Sequence, residues 1–178
     1  CPFACSYCLS AKDRGLFHKG LDQVFAELGE ILAHKPAVLR FVDRTFNDNP
    51  QRALAIWRFL MKQDCITLFH CEIAPDRFNE EMFTFLAAVP PGRFQFEIGI
   101  QSTHDATLKA INRTMDSVVT RETVRRLSAM ENIFLHVDLI LGLPFEDKSS
   151  FLRSFSEVFG LGAQYVQMGI LKMLPGTP

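Results

Sequence analysis

The sequence predicts an α/β fold: a partial (β/α)6 barrel of the TIM type, in which outer helices cover a parallel sheet. Five runs rich in branched and aromatic residues recur at intervals of about 30 residues, the spacing that βαβ units require. Strands that alternate with helices favour a parallel sheet, and five units cannot close an eight-stranded barrel. The predicted strands are Val38–Asp43, Ile66–Ile73, Phe94–Gln101, Phe134–Leu141 and Tyr165–Leu171.

The intervals between these strands carry the signals of helices. Ser102, with Asp105 three residues later, predicts a capping box for a short helix that runs through Ile111. An apolar stripe, or a residue that favours the N-cap position, indicates each of the other helices. They are predicted over residues 21–32, after the caps Asn49, Asn79 and Asp116, and from about Lys148 through Phe159 to a stop at Gly160.

The composition is that of one ordinary globular domain. Of the 178 residues, 48% are apolar and 22% are charged, and the net charge is -1. No basic stripe indicates a nucleic-acid partner, and no apolar run approaches the roughly 18 residues of a membrane span. Without a signal-peptide pattern, we expect a cytoplasmic protein. Because the chain starts at Cys1 rather than at methionine, we interpret residues 1–178 as one domain of a longer protein, whose first strand precedes this fragment.

Polar side chains interrupt the apolar runs where the predicted strands end. In βα barrels the chemistry lies at the carboxyl ends of the strands. Side chains alternate between the two faces of a strand, so one face of each strand is predicted to be polar and the other to lie under helices. A buried acid costs several kcal/mol unless it is paired, so several acids on one wall predict a binding site, although each could also be a solvent-facing strand end. The residues concerned are Asp43, Glu72, Gln101, Ser102 and Asp138, with Gln95, Glu97, His70 and His136 on the same polar faces.

Three of the five cysteines, Cys1, Cys5 and Cys8, lie within eight residues. Iron–sulfur clusters usually take four cysteine ligands, so three thiolates would leave one iron open to a small molecule with an amine and a carboxylate. A disulfide is an alternative that a cytoplasmic chain disfavours. A zinc site is another, and its fourth ligand would be Cys65, His70 or Cys71. The two remaining cysteines are otherwise typical of small buried residues.

The spacing Cys-x-x-x-Cys-x-aromatic-Cys, with Tyr7 as the aromatic residue, resembles the signature of the radical S-adenosylmethionine (SAM) superfamily. Within it, the chain is most similar to radical SAM proteins linked to a cobalamin-binding domain and to enzymes like anaerobic coproporphyrinogen III oxidase. The segments that carry the resemblance are Phe41–Asn47, Glu72–Pro75, Gly99–Ser102, Ile111–Arg113, Asp138–Pro144 and Leu174–Pro178.

The resemblance implies roles for residues at the predicted site. Cys1, Cys5 and Cys8 would hold a [4Fe-4S] cluster, and the other positions would bind SAM. Tyr7 would lie beside the adenine, and Glu72 and Arg113 would hold the methionine amino and carboxylate groups. Gln101 and Asp138 would bond to the ribose or its surroundings, and Leu174 would pass near the adenine with its backbone. Asp43 and Asn47 would lie near SAM or substrate, and Ser102 is a further cofactor-binding position without a more specific role.

The resemblance also implies the chemistry of an oxidoreductase or transferase. A reduced cluster would pass one electron to SAM and release a 5′-deoxyadenosyl radical, which abstracts hydrogen from an unknown or small-molecule substrate. An electron donor such as a flavodoxin or ferredoxin would be a partner. Oxidative decarboxylation of a porphyrinogen and cobalamin-assisted methyl or methylthio transfer both stay open, with a preference for the cobalamin-linked group because of Phe41–Asn47. The cobalamin would be bound by a domain outside this sequence.

Two other classes of function remain as alternatives. One is a non-catalytic βα domain stabilised by zinc. The other is a metal-free βα barrel that binds a phosphorylated metabolite, which has little support because no glycine-rich phosphate loop precedes a helix.

Overall fold

The computed structural model describes residues 1–11 and 15–177, and its centre is one parallel sheet in the order β1-β2-β3-β4-β5. The strands are β1 (Val38–Arg40), β2 (Leu68–Glu72), β3 (Phe94–Gln101), β4 (Ile133–Leu141) and β5 (Tyr165–Ile170). All five predicted strands are confirmed, although β1 ends at Arg40 rather than Asp43. In the described residues the edge strands β1 and β5 do not pair, so the barrel is open, as predicted.

In the part of the chain that the structure describes, six α-helices connect or precede the strands. They are α1 (Leu21–Ala33), α2 (Pro50–Met61), α3 (Glu80–Ala87), α4 (Asp105–Ala110), α5 (Ser117–Ser128) and α6 (Lys148–Phe159), with short 3₁₀ turns at Leu9–Ala11 and Pro75–Arg77. Asn49, Asn79 and Asp116 are N-caps as predicted, and each accepts hydrogen bonds of 2.8–3.0 Å from backbone N–H groups of its helix. Among the described helices, none is long and apolar enough to cross a membrane.

The predicted capping box at Ser102 is wrong. Helix α4 begins at Asp105 with His104 as its N-cap, and Ser102 instead accepts a 3.0 Å hydrogen bond from the backbone N–H of His104. The Ser102 hydroxyl donates to Glu146 at 2.5 Å, so a residue distant in sequence engages the side chain that would have capped the helix. The stop at Gly160 is confirmed, although its φ of -67° is right-handed and needs no glycine.

The core lies between the sheet and the helices, and Trp57 of α2 is its centre. This side chain has no solvent exposure, and its ring centroid lies 5.2 Å from that of Phe96 and 5.8 Å from that of Phe94. Strand β3 alternates as predicted, with the phenylalanine and isoleucine positions buried and the intervening positions only partly buried. The apolar face of β3 thus packs under helices, and its polar face is left for other contacts.

Strand register determines which polar side chains meet on the inner face of the sheet. Glu72 on β2 pairs with Glu97 on β3, and Gly99 on β3 pairs with Asp138 on β4. Parallel neighbours at the same level lie about 4.8 Å apart, so side chains from adjacent strands come into contact. The fold therefore gathers the predicted polar residues at the carboxyl end of the sheet.

Candidate functional site

The cysteine loop is attached to the segment that follows α4. The backbone N–H of Ser6 donates to the carbonyl of Ile111 at 3.0 Å, and the side-chain amide of Asn112 donates to the carbonyl of Ala4 at 2.9 Å. Asn112 has a φ of 54°, a left-handed conformation that asparagine tolerates better than most residues. The segment Ile111–Arg113 therefore ties down the loop and directs Arg113 beneath it.

The cysteines of this loop lie beside cationic and aromatic groups. All are free thiols; Cys5 is buried, and Cys1 and Cys8 are partly buried. Arg113 Nη1 lies 3.4 Å from the Cys5 sulfur, and the Arg113 guanidinium lies 5.0 Å from the ring centroid of Phe3. Arg77 lies 5.5 Å from the same ring. Two positive charges thus flank the loop that would carry a negatively charged metal centre.

Tyr7 lies within the same loop and keeps its proton. Burial, followed by the charges of Cys5 and Cys8, raises the pKa of the Tyr7 hydroxyl well above its ordinary value of 10.0. Together with Ser6 it lines a pocket of about 100 Å³ whose opposite wall includes Met173 and Thr177. The structure therefore brings Tyr7 close to the Leu174–Thr177 turn, in which Thr177 donates to the Leu174 carbonyl.

The donor set fits an iron–sulfur cluster better than a zinc ion. Among residues 1–11 and 15–177, no three His, Cys, Asp or Glu side chains converge closely enough to hold one metal ion. Zinc needs four ligands within about 2.0–2.3 Å of one point, whereas the cysteines of a cluster ligate different irons and need not converge. Cys71 is buried in the main core, and Cys65 precedes β2 at the opposite end of the strand. Neither supplies a fourth ligand to the loop.

A polar crevice of about 80 Å³ adjoins the cysteine loop at the carboxyl end of the sheet. Four residues predicted from the sequence, namely Glu72, Gln101, Arg113 and Asp138, are brought together here. The remaining lining residues are Phe3, Arg44, Thr45, Ile73, Glu97 and Gly99. The crevice is continuous with the loop, because Phe3 belongs to both and Thr45 lies 3.4 Å from the Cys1 sulfur.

The backbone of β3 leaves room for the side chains of Gln101 and Arg113 in the crevice. Arg113 Nη2 donates to the carbonyl of Gly99 at 2.5 Å, and a β-carbon at Gly99 would overlap the side-chain nitrogen of Gln101. Gln101 itself has a φ of 72° at a register shift between β3 and β4. Among the described residues, its Oε1 and the Nε of Arg113 are buried without a hydrogen-bond partner. The hydrogen-bonding capacity of both atoms is therefore unsatisfied by the described residues.

The crevice carries an excess of carboxyl groups. Burial raises the pKa of Glu72, although Arg44 Nη1 lies 3.2 Å from its carboxylate and opposes the shift. Burial and then the neighbouring Glu97 raise the pKa of Asp138 to about 7. A ligand that brings positive charge or hydrogen-bond donors would relieve this repulsion.

Three other predicted residues lie outside the crevice. Asn47 is fully buried, and its side-chain amide donates to the carbonyl of Ala74 at 2.8 Å and accepts from the Ala74 N–H at 2.7 Å. Ser102 lies on the helix side of the sheet with Glu146. Asp43 is exposed and lines a separate groove between α1 and the residues after β1. Among the described residues, no hydrogen bond or ion pair joins these three side chains to the cysteine loop.

Sequence reasoning assigned no specific role to several residues of the crevice. Glu97 shares the polar face of β3 with Gln101, so the alternation of side chains along the strand already predicted that it faces the same way. Arg44 and Thr45 follow β1 in an irregular turn, and Phe3 is an apolar residue in a loop; local pattern gives no signal for any of the three. Pro178, the last residue of the Leu174–Pro178 segment, lies outside the described residues.

Comparison with known proteins agrees with this geometry. A model of the radical SAM superfamily matches residues 1–158. The uncharacterized protein YtqA of Bacillus subtilis (strain 168) is 30% identical over 105 residues, which are 58% of this chain and 32% of that protein. The tRNA-2-methylthio-N(6)-dimethylallyladenosine synthase of Dehalococcoides mccartyi (strain CBDB1) is 23% identical over 99% of this chain and 44% of its own length. The chain thus spans less than half the length of either curated relative.

Two solved structures share the fold. The radical SAM methyltransferase TsrM of Kitasatospora setae, with tryptophan substrate and the SAM analog aza-SAM bound, matches with a TM-score of 0.83 at 19% identity, over 100% of this chain and 35% of its own. The coproporphyrinogen III oxidase HemN of Escherichia coli, a radical SAM enzyme, matches with a TM-score of 0.70 at 17% identity, over 96% of this chain and 42% of its own. At these identities the likeness establishes the architecture alone.

Proposed function

The chain belongs to the radical SAM superfamily, and from that premise we propose that Cys1, Cys5 and Cys8 hold a [4Fe-4S] cluster and that the adjoining crevice binds SAM. The observation that carries the proposal is the position of Arg113. Its guanidinium lies 3.4 Å from the Cys5 sulfur and 2.5 Å from the Gly99 carbonyl, so one side chain lines both the cluster loop and the crevice. A ligand in the crevice would lie next to the cluster.

The residues of the crevice suit the polar groups of SAM. Arg113 offers donors to the methionine carboxylate, and Glu72 offers acceptors to the amino group. Gln101 and Asp138 offer acceptors to the ribose hydroxyls, and the pocket beside Tyr7 would take the adenine. Asn47 would act indirectly, because it holds Ala74, which packs against Phe3 and Cys5.

When bound, the cluster supplies one electron to SAM, whose cleavage yields methionine and a 5′-deoxyadenosyl radical. The chain itself orients SAM against the cysteine loop and limits water there. Phe3 and Cys5 are buried, so solvent has little access to that side of the loop. An electron donor such as a flavodoxin or ferredoxin would be a partner of the reaction.

For the net reaction, we favour group transfer of the methyl or methylthio kind, with cobalamin as a further cofactor where a separate domain supplies it. The match to the D. mccartyi synthase over 99% of this chain and the Phe41–Asn47 segment support this choice. Porphyrinogen decarboxylation of the kind known from HemN is the second candidate, and it would require no cobalamin. Spectroscopic detection of cobalamin in the purified full-length protein would favour group transfer over decarboxylation; release of carbon dioxide from an added porphyrinogen would favour decarboxylation.

The first test of the proposal is anaerobic reconstitution of the full-length protein with iron and sulfide. We expect a brown protein with about four irons that releases 5′-deoxyadenosine after addition of dithionite and SAM. A colourless protein that takes up zinc and does not cleave SAM would contradict the proposal.

Replacing Gly99 with alanine is expected to weaken SAM binding while preserving the fold. The new methyl group would push the Gln101 side chain out of the crevice, which is sterically possible because the clashing atom is the end of a flexible side chain. Loss of one hydrogen bond to the ligand predicts a drop of about 3- to 10-fold in affinity. Calorimetric titration of the cluster-loaded protein with SAM measures this.

The matched control is Gly29→Ala on α1, where nothing lies within 4 Å of the added β-carbon. We expect this variant to bind SAM like the wild type and to be up to about 1 kcal/mol more stable, because alanine favours a helix. Equal SAM affinity in the Gly99→Ala variant and the wild type would show that Gln101 does not contact SAM.

A further inference from the structure

We infer that Glu97 is a positioning residue for SAM, because it shares one proton with Asp138 across β3 and β4 and the pair gives up that proton when SAM binds. This inference rests on the proposed function and deepens it. Glu97 lines the crevice, but it is not part of the cysteine loop and is not among the predicted SAM contacts.

The contact between Glu97 and Asp138 requires a proton. Both side chains project from the inner face of the sheet, where Gly99 of β3 is the register partner of Asp138. The two carboxyl groups lie within hydrogen-bonding distance of each other, and their side chains are only 23% and 16% exposed. Two carboxylates cannot donate to each other, so this contact is favourable only when one shared proton lies between them.

The groups around the pair do not replace that proton with a fixed positive charge. Gln167 Nε2 donates to Asp138 at 3.2 Å, His136 Nε2 lies 3.3 Å from the same oxygen, and His70 Nε2 lies 3.0 Å from Glu97. In the described part of the chain, neither carboxyl group forms an ion pair with a lysine or an arginine. The nearby arginines have other partners: Arg44 pairs with Glu72, and Arg113 contacts Gly99 and Cys5.

The electrostatics agree with a proton on the carboxyl pair. Burial, followed by the charges of Glu97 and Glu72, raises the pKa of Asp138 to about 7. Burial and the charge of Arg40 lower the pKa of His70, so the imidazole next to Glu97 stays neutral near pH 7. At about pH 6 the pair therefore carries mostly one negative charge, and the second develops as the pH rises through the pKa of Asp138, about 7.

SAM brings a sulfonium and an ammonium group into this crevice. Their positive charge favours the doubly ionised pair, so the pKa of Asp138 falls in the complex and a proton leaves. SAM affinity then increases as the pH rises toward 7 and levels off above it. Because a group with a pKa of about 7 is protonated to roughly 90% at pH 6 and roughly 10% at pH 8, the affinity should rise about tenfold over this range.

The test is calorimetric titration of the cluster-loaded, unreduced protein with SAM near pH 6 and near pH 8, each in two buffers of different ionisation enthalpy. The wild type and the exposed control Glu30→Gln should release close to one proton on binding near pH 6 and about 0.1 near pH 8, and should show the tenfold rise. Glu97→Gln should release fewer protons near pH 6 and show a smaller rise, because only burial and Glu72 still raise the pKa of Asp138, while it still binds SAM at the higher pH. Titration of the SAM amino group affects all three proteins equally.

Each outcome distinguishes the two proposals. SAM binding of equal pH dependence in the wild type and Glu97→Gln would overturn the role of Glu97 and leave the proposed function intact. Absence of SAM binding at any pH would instead overturn the proposed function, and the inference with it. Infrared spectra without SAM give an independent measure: the band of a protonated carboxyl group near pH 6 should be weaker in Glu97→Gln than in the wild type, and an equal band in the two proteins would contradict the shared proton.

Discussion

Replacing Cys5 with alanine should abolish iron binding by the reconstituted protein. Cys5 is the central cysteine of the loop, it is buried, and its sulfur is the one that Arg113 contacts. Without it, only two thiolates of the loop remain, and two cannot retain a [4Fe-4S] cluster in place of the usual four or the proposed three. Iron and sulfide content per chain, together with visible absorbance after anaerobic reconstitution, provides the measurement.

Cys65→Ala is the matched control, and this variant should keep its full iron content. Cys65 is partly buried like two of the loop cysteines, but it precedes β2 and contacts Arg93 Nη2 at 3.3 Å. It therefore lies at the opposite end of the sheet from the cysteine loop. Equal loss of iron in the two variants would rule out the three-cysteine assignment.

Asn47→Ala should give the largest loss of stability among the predicted site residues. The substitution removes both hydrogen bonds to the backbone of Ala74 and leaves a buried N–H and a buried carbonyl without partners. The expected decrease in the free energy of unfolding is about 2–4 kcal/mol. Urea denaturation of the full-length protein, followed by circular dichroism, measures it.

Asn49→Ala provides the comparison, two residues away in the sequence. Asn49 is exposed and accepts a single hydrogen bond, from the N–H of Arg52 at the start of α2. Loss of an N-cap of this kind costs about 1 kcal/mol. If Asn47→Ala were no more destabilising than Asn49→Ala, the two hydrogen bonds between Asn47 and the Ala74 backbone would not make the expected contribution to stability.

The predictions succeeded where a pattern depends on nearby residues. The alternation of phenylalanine with polar residues in β3 correctly predicted which face is buried, because adjacent side chains of any strand point in opposite directions. The caps at Asn49, Asn79 and Asp116 were also correct, because an N-cap needs only its own helix. Ser102 met the same local criterion, yet its hydroxyl bonds to Glu146, 44 residues along the chain.

The amino-acid sequence by itself determined the order of strands and helices, the polar face of the sheet and the three-cysteine loop. Only the tertiary structure decided which polar residues meet. Strand register places Glu97 beside Glu72 and Gly99 beside Asp138, and the segment after α4 carries Arg113 to Cys5, 108 residues earlier. Asn47 and Ser102 have the residue types of ligand-binding positions, but the fold directs them to Ala74 and Glu146. The physical reason is that periodicity and capping depend on neighbouring residues, whereas a site is assembled by packing between segments distant in sequence.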